Sequence, residues 1–573
     1  MTSLKTFFRK DIFFWILLII LIPSFFTLLR PGFFPMHDDL QAFRIHQMNE
    51  CFKDFQIPCR WIPDMGYQYG YPQFNFYPPS VYYLGEVFHL IGFQFIDSVK
   101  LLFISGFILS ALGMYLFLKS WLSKWSAFIG AVLYTYVPYK AVDVYVRGAM
   151  NEFWALVFFP FLFWSSYKLV KTGLKKYVAF FAIFLALLLL THNLMVMIFA
   201  PFLGIWILIH ILLEKKWKVI LKFFIAGLIG VGLAAFFTAP VFLEKDYAHL
   251  ETLVGGYFDY RQHFVNINQL FILNDFDYGS SQYGDRDDMN LSTGQIQWIA
   301  ASFAVLLSLL TFKRNRKIAF ITLVLAGLEL LVLFMMHQKS SFIWSMIKPL
   351  EYLQFPWRFL SVSVFLLSVL GGIAVYLIEK GEYQFRKIKL SYVFGIFLII
   401  VLFILYLPFF QPRIWLNTND KEKFSEGSWE KQLTISIFDY LPIYAKFPPT
   451  SKAPDNPETL EGLVDFRKRD KGSDFKYWEA FAEKDSVIRI PMFDFPGMTA
   501  FIDGDIVPHK NDDCRGQEFC LGLVTVAFPS GYHSIKVELK NTPVRSIGNI
   551  ITLISVLVIV LLFLPKKLLP KFK

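Results

Sequence analysis

The chain has 573 residues, of which 55% are hydrophobic and 18% are charged, and it carries a net charge of +11. A soluble multidomain protein of this length is much less apolar, so the composition excludes an ordinary soluble enzyme. The positive charge does not indicate nucleic-acid binding, because much of it lies in short clusters between apolar runs, which is typical of membrane topology.

Apolar runs long enough to cross a bilayer, about 20 residues each, recur along the chain. They predict twelve membrane-spanning helices, at 11–29, 101–118, 125–139, 152–167, 177–191, 194–213, 219–243, 295–312, 318–336, 357–378, 390–410 and 546–564. The first run lacks a small-residue cleavage site, so we interpret it as an anchor and not as a removed signal peptide. A further apolar stretch, 79–95, is predicted to lie in the membrane interface as an amphipathic helix.

The basic clusters predict the orientation in the membrane. They lie at 1–10, 119–124, 168–176, 214–222, 313–317, 380–389 and 566–573. With twelve spans all of them fall on one side, whereas a thirteenth span at 79–95 would place the first cluster opposite the others. Lys and Arg collect in cytoplasmic loops. We therefore expect a multi-pass protein of the cell membrane with both termini in the cytoplasm and its large loops outside.

The four cysteines all lie in predicted outer loops. Cys51 and Cys59 are in the first of these loops, and Cys514 and Cys520 are in the last. Two close pairs on the oxidising side predict two short disulfides, and the alternative is four unrelated free thiols. A zinc site is not expected, because no histidine lies at ligand spacing from either pair.

The spans divide the chain into a membrane module with large outer loops, an extracytoplasmic domain, and a last span with a basic tail. Their ranges are 1–410 (outer loops 30–100 and 244–294), 411–545 and 546–573. Alternating apolar residues predict strands at 487–493, 499–507, 521–528 and 533–539. They indicate a small β-sandwich from about residue 485, whereas 411–484 is predicted to be mostly irregular.

Polar residues at the outer ends of the spans are the candidates for function, since the sequence contains no GxxxxGK, HExxH or GxSxG motif. Asp38 and Asp39 follow the first span. One of them could cap the next helix through backbone N–H groups. Alternatively one could act as a general base, because a carboxylate near an apolar membrane face becomes a stronger base.

Three more spans end in polar groups, namely Arg147 and Glu152, His192 and Asn193, and Arg358. An arginine at such a place commonly extends to lipid headgroups. The functional alternative is that Arg147 and Arg358 converge on a lipid-linked phosphate. The aromatic run 67–79 could stack on sugar rings or form an interfacial belt.

The order of these motifs resembles one bacterial family. The motifs are HDD (37–39), YPQFNFYPP (71–79), VRGAMNE (146–152), THN (191–193) and QFPWRF (354–359), followed by the β-rich outer domain and a last span. The family is that of the "6-pyruvoyl-tetrahydropterin synthase-related" membrane proteins, close to the YfhO-like proteins, which look like members of the glycosyltransferase C-type superfamily. Pterin chemistry is not expected, because that soluble synthase needs a zinc-binding histidine set and the ten histidines here are scattered.

The resemblance implies a mainly α fold, a polytopic membrane helix bundle with a small extracytoplasmic β-sandwich-like domain near the C-terminus. It also implies an inverting transferase that moves a sugar from a polyprenyl-phosphate carrier to an envelope acceptor on the outer face. Asp38 or Asp39 would deprotonate the acceptor or help to hold a divalent metal, the one cofactor implied. Arg147 and Arg358 would bind the carrier phosphate. Glu152, His192 and Asn193 would position the substrates.

Two other classes of function remain open on the sequence. A transporter or flippase of lipid-linked glycans would share the topology but needs charged or broken helices at mid-membrane. Glu329, within 318–336, is the clear buried carboxylate of that kind. A non-catalytic envelope assembly factor would need no convergence of the outer polar groups, so a scattered arrangement would favour it.

Overall fold

The computed structural model describes residues 11–282, 287–385 and 388–564. Its longer helices are α1 (Ile12–Phe25), α2 (Gln41–Lys53), α3 (Ser80–Leu90), α4 (Phe95–Lys119), α5 (Lys124–Thr135), α6 (Met150–Thr172), α7 (Lys175–Thr191), α8 (Asn193–Glu214), α9 (Val219–Leu233), α10 (Ala235–Leu243), α11 (Gln295–Leu310), α12 (Arg316–Met336), α13 (Leu360–Lys380), α14 (Leu390–Tyr406), α15 (Glu426–Thr434) and α16 (Pro543–Phe563). The strands of its C-terminal part are β1 (Glu458–Glu461), β2 (Val464–Lys471), β3 (Phe475–Ala482), β4 (Ser486–Phe493), β5 (Met498–Ile502), β6 (Asp505–Val507), β7 (Leu523–Phe528) and β8 (Gly531–Leu539).

Within these described ranges, eight helical segments are long and apolar enough to cross a bilayer, or nine if the bent pair α9–α10 counts as one span. All twelve predicted spans are helical, but α5, α7 and α11 have only 12, 17 and 16 residues. Sixteen residues of helix rise about 24 Å, less than the ~30 Å hydrocarbon core. α5 is short because Val137, which precedes Pro138, is extended. The predicted class, a polytopic helix bundle, is confirmed.

The helix α13 lies at the centre of the bundle. It packs against α5, α11 and α12, and every residue from Leu360 to Val375 is buried. By contrast, most apolar side chains of α14 and α16 are at least partly exposed, as expected of helices that face lipid. A short 3-10 helix, Pro356–Phe359, leads into α13. Arg358 therefore lies at the start of the central helix, at one end of the bundle.

Basic loops meet at one end of the bundle. Glu214 accepts a hydrogen bond from Lys171 at 2.7 Å and also pairs with Lys317. These contacts join three of the predicted basic loops. Asp11 and Lys119 form another such pair. The clusters 1–10 and 566–573 lie outside the described residues. One shared face is what the predicted topology requires, and the assignment of that face to the cytoplasm stays a prediction.

The predicted interfacial stretch 79–95 contains the separate helix α3 and the start of α4. Apolar side chains near the end of α3 are exposed, among them Leu90 and Ile91. The helical conformation agrees with the sequence, and the location in the interface stays a prediction.

Strands β1–β8 form a β domain (458–539) of two antiparallel sheets, which we call the outer β domain after its predicted location. One sheet has the order β2-β3-β8-β5-β6 and the other has the order β1-β4-β7. The domain begins earlier than predicted, since three strands precede residue 485 in a stretch expected to be irregular. Its core includes Trp61, Tyr69 and Phe76 from the first predicted outer loop, so the domain is packed onto that loop.

Both predicted disulfides are confirmed. Cys51 and Cys59 are bonded with their Cα atoms 5.6 Å apart, and Cys514 and Cys520 with theirs 5.0 Å apart. Both separations lie in the ordinary range for a disulfide. The first bridge closes the loop that follows α2, and α2 carries part of the site described next.

Candidate functional site

The two arginines predicted to bind a phosphate meet at Glu152. Arg147 Nη2 donates to Glu152 Oε2 at 2.9 Å, and Arg358 Nε lies 3.5 Å from the same oxygen. Each arginine side chain is only 11% exposed. Neither guanidinium therefore extends to lipid headgroups, and the interpretation of these arginines as lipid-anchoring side chains is wrong. They form an internal ion cluster at the end of the bundle opposite the loop of Lys171, since Glu152 and Lys171 lie at opposite ends of α6.

The guanidinium of Arg147 is held from several directions. Its Nη1 donates to Asp143 Oδ1 at 2.5 Å, and its Cζ lies 4.6 Å from the centre of the Trp357 ring. The segment Val142–Arg147 is π-helical and ends at Gly148, whose φ is +63°. A side chain at Gly148 would collide with Met36. π-Helical turns are frequent at functional sites, where they aim a side chain out of the regular helical register.

Arg358 is held less completely than Arg147. Its Nη1 donates to the carbonyl of Leu353 at 2.8 Å and to Gln354 Oε1 at 3.1 Å. Among the described residues, its Nε has no hydrogen-bond partner, and neither has the buried Nδ1 of His192. His192 lies within electrostatic range of both arginines and Glu152. Buried polar atoms are rarely left unsatisfied, so two such atoms here indicate a place for a further polar group.

Asn193 stands apart from this cluster. Its Oδ1 accepts the backbone N–H of Leu194 at 2.9 Å, at the start of α8. In the part of the chain that the structure describes, no recorded contact connects Asn193 with the arginines. Its predicted positioning role therefore has no geometric support beyond its neighbour His192.

Asp38 is attached to the Arg147 segment through the backbone. Its N–H donates to the carbonyl of Arg147 at 2.9 Å. Its carboxylate accepts from Arg44 Nη1 at 3.0 Å and from Gln41 Nε2 at 2.8 Å. Gln41 also donates to the carbonyl of Gly148 at 2.9 Å. The side chain of Asp38 is 35% exposed, so solvent or a substrate can reach it.

Neither aspartate caps the following helix. The N-cap of α2 is Leu40, and no side chain accepts a capping hydrogen bond there. The capping interpretation is therefore wrong. Asp39 instead pairs with Lys423 Nζ at 2.5 Å, and burial raises the pKa of Asp39 although Lys423 partly opposes the shift.

Several residues of the site were not identified from the sequence, among them Arg44, Tyr77 and Asp439. The Cζ of Arg44 lies 4.2 Å from the Tyr77 ring centre, and Tyr77 is within electrostatic range of both Arg44 and Arg358. Burial raises the pKa of Asp439 to about 6, with Arg44 lowering it in part. Tyr77 thus interacts electrostatically with both Asp38 and Arg358.

Sequence signals for these residues were present but not specific. Tyr77 lies in the aromatic run 67–79, whose members pack inside the molecule: Phe76 stacks on Tyr440 at 5.8 Å, and Tyr69 packs on Phe493 at 5.5 Å. The run is therefore not an interfacial belt. It joins the bundle to the outer β domain, and nothing in its composition distinguishes Tyr77 from the other aromatic residues.

The aspartates do not fit a metal site in this arrangement. Within residues 11–282, 287–385 and 388–564, no three His, Cys, Asp or Glu side chains are grouped as ligands. Asp38 faces Arg44 and Asp39 faces Lys423, and these cations compete with a metal for the carboxylate oxygens.

Comparison with known proteins finds a family domain that matches part of the chain. Residues 74–257 match the model of a family described as "6-pyruvoyl-tetrahydropterin synthase related domain; membrane protein". An "Uncharacterized protein" of Lactococcus lactis subsp. cremoris (strain MG1363) is 26% identical over 259 residues, which are 43% of this chain and 41% of that protein. The match thus spans less than half of that relative.

Two solved structures of the Archaeoglobus fulgidus oligosaccharyltransferase are similar to this chain, with low TM-scores. The apo form has a TM-score of 0.41 at 15% identity and covers 80% of this chain and 62% of that one. The complex with Zn and sulfate has a TM-score of 0.38 at 14% identity, with 79% and 59% covered. Scores this low carry no argument about function.

The matched segment contains Tyr77, Arg147, Glu152 and His192, which are four members of the site. The family resemblance drawn from the order of the motifs is confirmed for this part of the chain. Over residues 74–257 the chain is similar to the domain of the 6-pyruvoyl-tetrahydropterin synthase related membrane proteins.

Proposed function

We propose that the protein is a membrane glycosyltransferase that moves a sugar from a polyprenyl-phosphate carrier to an envelope acceptor at the extracytoplasmic face. The observation that carries this proposal is the convergence of Arg147, Arg358 and His192 around Glu152, beside the segment of Asp38. These residues come from four separate parts of the chain. Their meeting at the outer end of the bundle is what a shared phosphate substrate requires.

The arginines supply the phosphate-binding half of the reaction. Arg358 Nε and His192 Nδ1 have no hydrogen-bond partner among the described residues, so a phosphate oxygen entering there would satisfy buried groups. A guanidinium binds phosphate through two parallel hydrogen bonds, and its charge acts strongly away from water. Charge develops on the phosphate as the sugar leaves, and Arg147 and Arg358 would stabilise that charge.

Asp38 is the better placed of the two predicted bases. It would take the proton from the acceptor hydroxyl as that oxygen bonds to the anomeric carbon. The bond from this carbon to the phosphate oxygen breaks on the opposite side, which inverts the configuration and releases polyprenyl phosphate. Arg44 and Gln41 orient the carboxylate. Asp39 is the second candidate, since burial raises its pKa and favours proton uptake.

The two rival functions are less well supported by the same observations. A transporter would need open backbone groups at a broken helix, and α9–α10 is indeed bent by 78°. At that bend, however, the hydroxyl of Thr552 accepts from the N–H of Phe236 and donates to the carbonyl of Gly232. Glu329 is likewise engaged by Ser363. A non-catalytic assembly factor gives no reason for the arginines to converge.

The proposal is tested by reconstituting the full-length protein in vesicles with a panel of polyprenyl-phosphate hexoses and measuring release of polyprenyl phosphate. Asp38→Asn is expected to reduce the rate at least about 100-fold, the lower range for loss of a general base. Asp39→Asn identifies the base if Asp38→Asn has little effect. Asp465→Asn, a matched change at an exposed site, serves as the control. Wild-type rates in both Asp38→Asn and Asp39→Asn would refute the base assignment.

A further inference from the structure

The outer β domain carries a recess on the outward face of its five-stranded sheet. The recess has a volume of about 230 Å³ and is lined by Tyr477, Phe501, Gly504, Ser534, Lys536, Glu538 and Lys540. It is formed by strands β3, β5 and β8 and the β5–β6 turn. None of these residues belongs to the site at the outer end of the bundle.

Strand register places two aromatic residues on either side of one lysine. Lys536 on β8 lies opposite Tyr477 on β3 and also opposite Phe501 on β5. Side chains directly opposite one another point to the same face of a sheet. Because neighbouring strands are about 4.8 Å apart, the backbones that carry the two rings are roughly 10 Å apart. The Lys536 side chain, which stands between them, is turned along β8 toward Glu538. One six-membered ring above it, in contact with an aromatic ring on each side at about 4 Å, fits that gap.

The opposite face of the same strands supplies the domain core. Trp478, Ala500, Ile535 and Val537 alternate with the recess residues and are buried. The rings of Tyr477 and Phe501 are therefore not needed for that core, and both remain partly exposed. Aromatic side chains placed in a recess with polar groups between them are typical of ligand sites.

The floor of the recess carries hydrogen-bonding groups. Ser534, Lys536 and Glu538 come from alternate positions of β8, and Lys536 is paired with Glu538. The Lys540 ammonium lies 4.7 Å from the centre of the Phe501 ring. A hydroxyl, an ammonium and a carboxylate offer both donors and acceptors. This combination of apolar walls and mixed polar floor matches a pyranose, which has apolar C–H faces and a polar rim of hydroxyls.

The recess lies at the membrane-proximal end of the domain. Strand β8 ends at Leu539, and the last membrane-spanning helix, α16, begins at Pro543. Lys540 is therefore three residues from the start of a span. A glycan anchored in or near the membrane surface would reach this position.

We propose that this recess binds a pyranose unit of the acceptor glycan, at a second sugar site separate from the transfer site. The identification of the glycan as the acceptor rests on the proposed function, whereas binding of a pyranose does not. The second site would hold the acceptor chain near the bundle and so raise its local concentration at Asp38.

The test measures binding alone, without a donor. The full-length protein in nanodiscs is titrated with chitotriose, maltotriose and cellotriose, and binding is followed by saturation-transfer NMR. At least one trisaccharide is expected to bind, and Tyr477→Ala or Phe501→Ala is expected to weaken it about tenfold. Tyr532→Ala is the matched control: Tyr532 is an aromatic residue of β8 on the same face that does not line the recess.

Two results would overturn the proposal. One is that none of the three sugars binds, or that binding is unchanged in both recess variants. The other is that the protein binds phosphatidylglycerol vesicles instead, and that Lys536→Ala and Lys540→Ala abolish this vesicle binding. That result would make the face a headgroup-binding surface. Sugar binding with no transferase activity would leave this site intact and would count against the proposed function alone.

Discussion

The backbone N–H of Asp38 donates to the carbonyl oxygen of Arg147 at 2.9 Å, and the backbone N–H of His37 donates to the carbonyl oxygen of Val146 at 3.1 Å. These two bonds join the candidate base to the candidate phosphate ligand, although more than 100 residues separate them in the sequence. The relative position of the two segments is thus fixed by the backbone and does not depend on long side chains. A substrate bound by Arg147 lies beside the segment that carries the carboxylate.

Replacement of Arg358 is expected to weaken phosphate binding. Arg358→Ala should lower the affinity for farnesyl phosphate, a short isoprenoid phosphate, at least about tenfold, because a charge-assisted bond is lost. Arg358→Lys should recover only part of the lost affinity, since an ammonium cannot make the two parallel hydrogen bonds that a guanidinium makes. The measurement is microscale thermophoresis on the purified protein. Arg413→Ala, at a 69% exposed arginine, is the control. Equal affinity of wild type and Arg358→Ala would exclude Arg358 from the phosphate site.

A buried ion pair ties the last span to the bundle. Glu244 Oε2 accepts from Arg545 Nε at 2.9 Å and from Asn75 Nδ2 at 3.0 Å. Removing one partner leaves the other charge buried, so Arg545→Ala is expected to cost roughly 3–5 kcal/mol of unfolding free energy. Arg467→Ala, which breaks an exposed pair, should lower the unfolding free energy far less. Denaturant unfolding compares the two variants. If Arg545→Ala loses no more unfolding free energy than Arg467→Ala, the structural role of the Glu244–Arg545 pair is contradicted.

The raised pKa of Asp439 predicts that the stability of the protein depends on pH. Burial raises its pKa from 3.8 to about 6, so the folded protein holds this proton over a range where the unfolded chain has lost it. The resulting contribution is fully present below pH about 4 and is lost as the pH rises through about 6. Asp439→Asn should therefore be more stable than wild type at pH 8, and this advantage should disappear toward pH 4.

The thermal midpoint of both proteins, measured from pH 4 to pH 8, checks this dependence. Asp465→Asn is the control, because its carboxylate is 65% exposed. A constant difference in midpoint between wild type and Asp439→Asn across this range would show that Asp439 does not titrate with a raised pKa.

The topology is testable without any substrate. Reporter fusions after residues 60, 280 and 480 are all expected to report the outer side, because the described basic loops meet at the other end of the bundle. Fusions after residues 173 and 315, within two of these loops, should report the cytoplasm. A cytoplasmic signal after residue 60, 280 or 480 would reverse or break the predicted topology.

Much of the membrane fold follows from local sequence properties, because a bilayer requires each span to satisfy its own backbone and to be apolar. Helix lengths were less predictable. Gln295–Leu310 and Lys124–Thr135 are shorter than their apolar runs suggest, since turn-forming and proline-containing segments end them. Strand β2 was missed for a different reason. Its sequence, VDFRKRDK, lies at a sheet edge with mostly exposed side chains, so the apolar alternation is weak.

The candidate site could be predicted by residue type but not by partner. Arg147, Arg358 and Glu152 stood out because charges at span ends are costly. That Arg44 would engage Asp38, and Lys423 would engage Asp39, depends on how α2 and the chain near residue 420 pack. Asp439 looks like an ordinary loop aspartate in the sequence, and only burial in the fold raises its pKa.

Native mass spectrometry of the protein purified from its own membranes tests the central claim most directly. The account predicts that wild type retains a polyprenyl-phosphate lipid, with or without a sugar, in addition to bulk phospholipid. Arg147→Ala and Arg358→Ala should lose this lipid, and Asp38→Asn should retain it in the sugar-loaded form. Wild type carrying phospholipid but no isoprenoid phosphate, or arginine variants that retain the carrier as well as wild type does, would contradict the account.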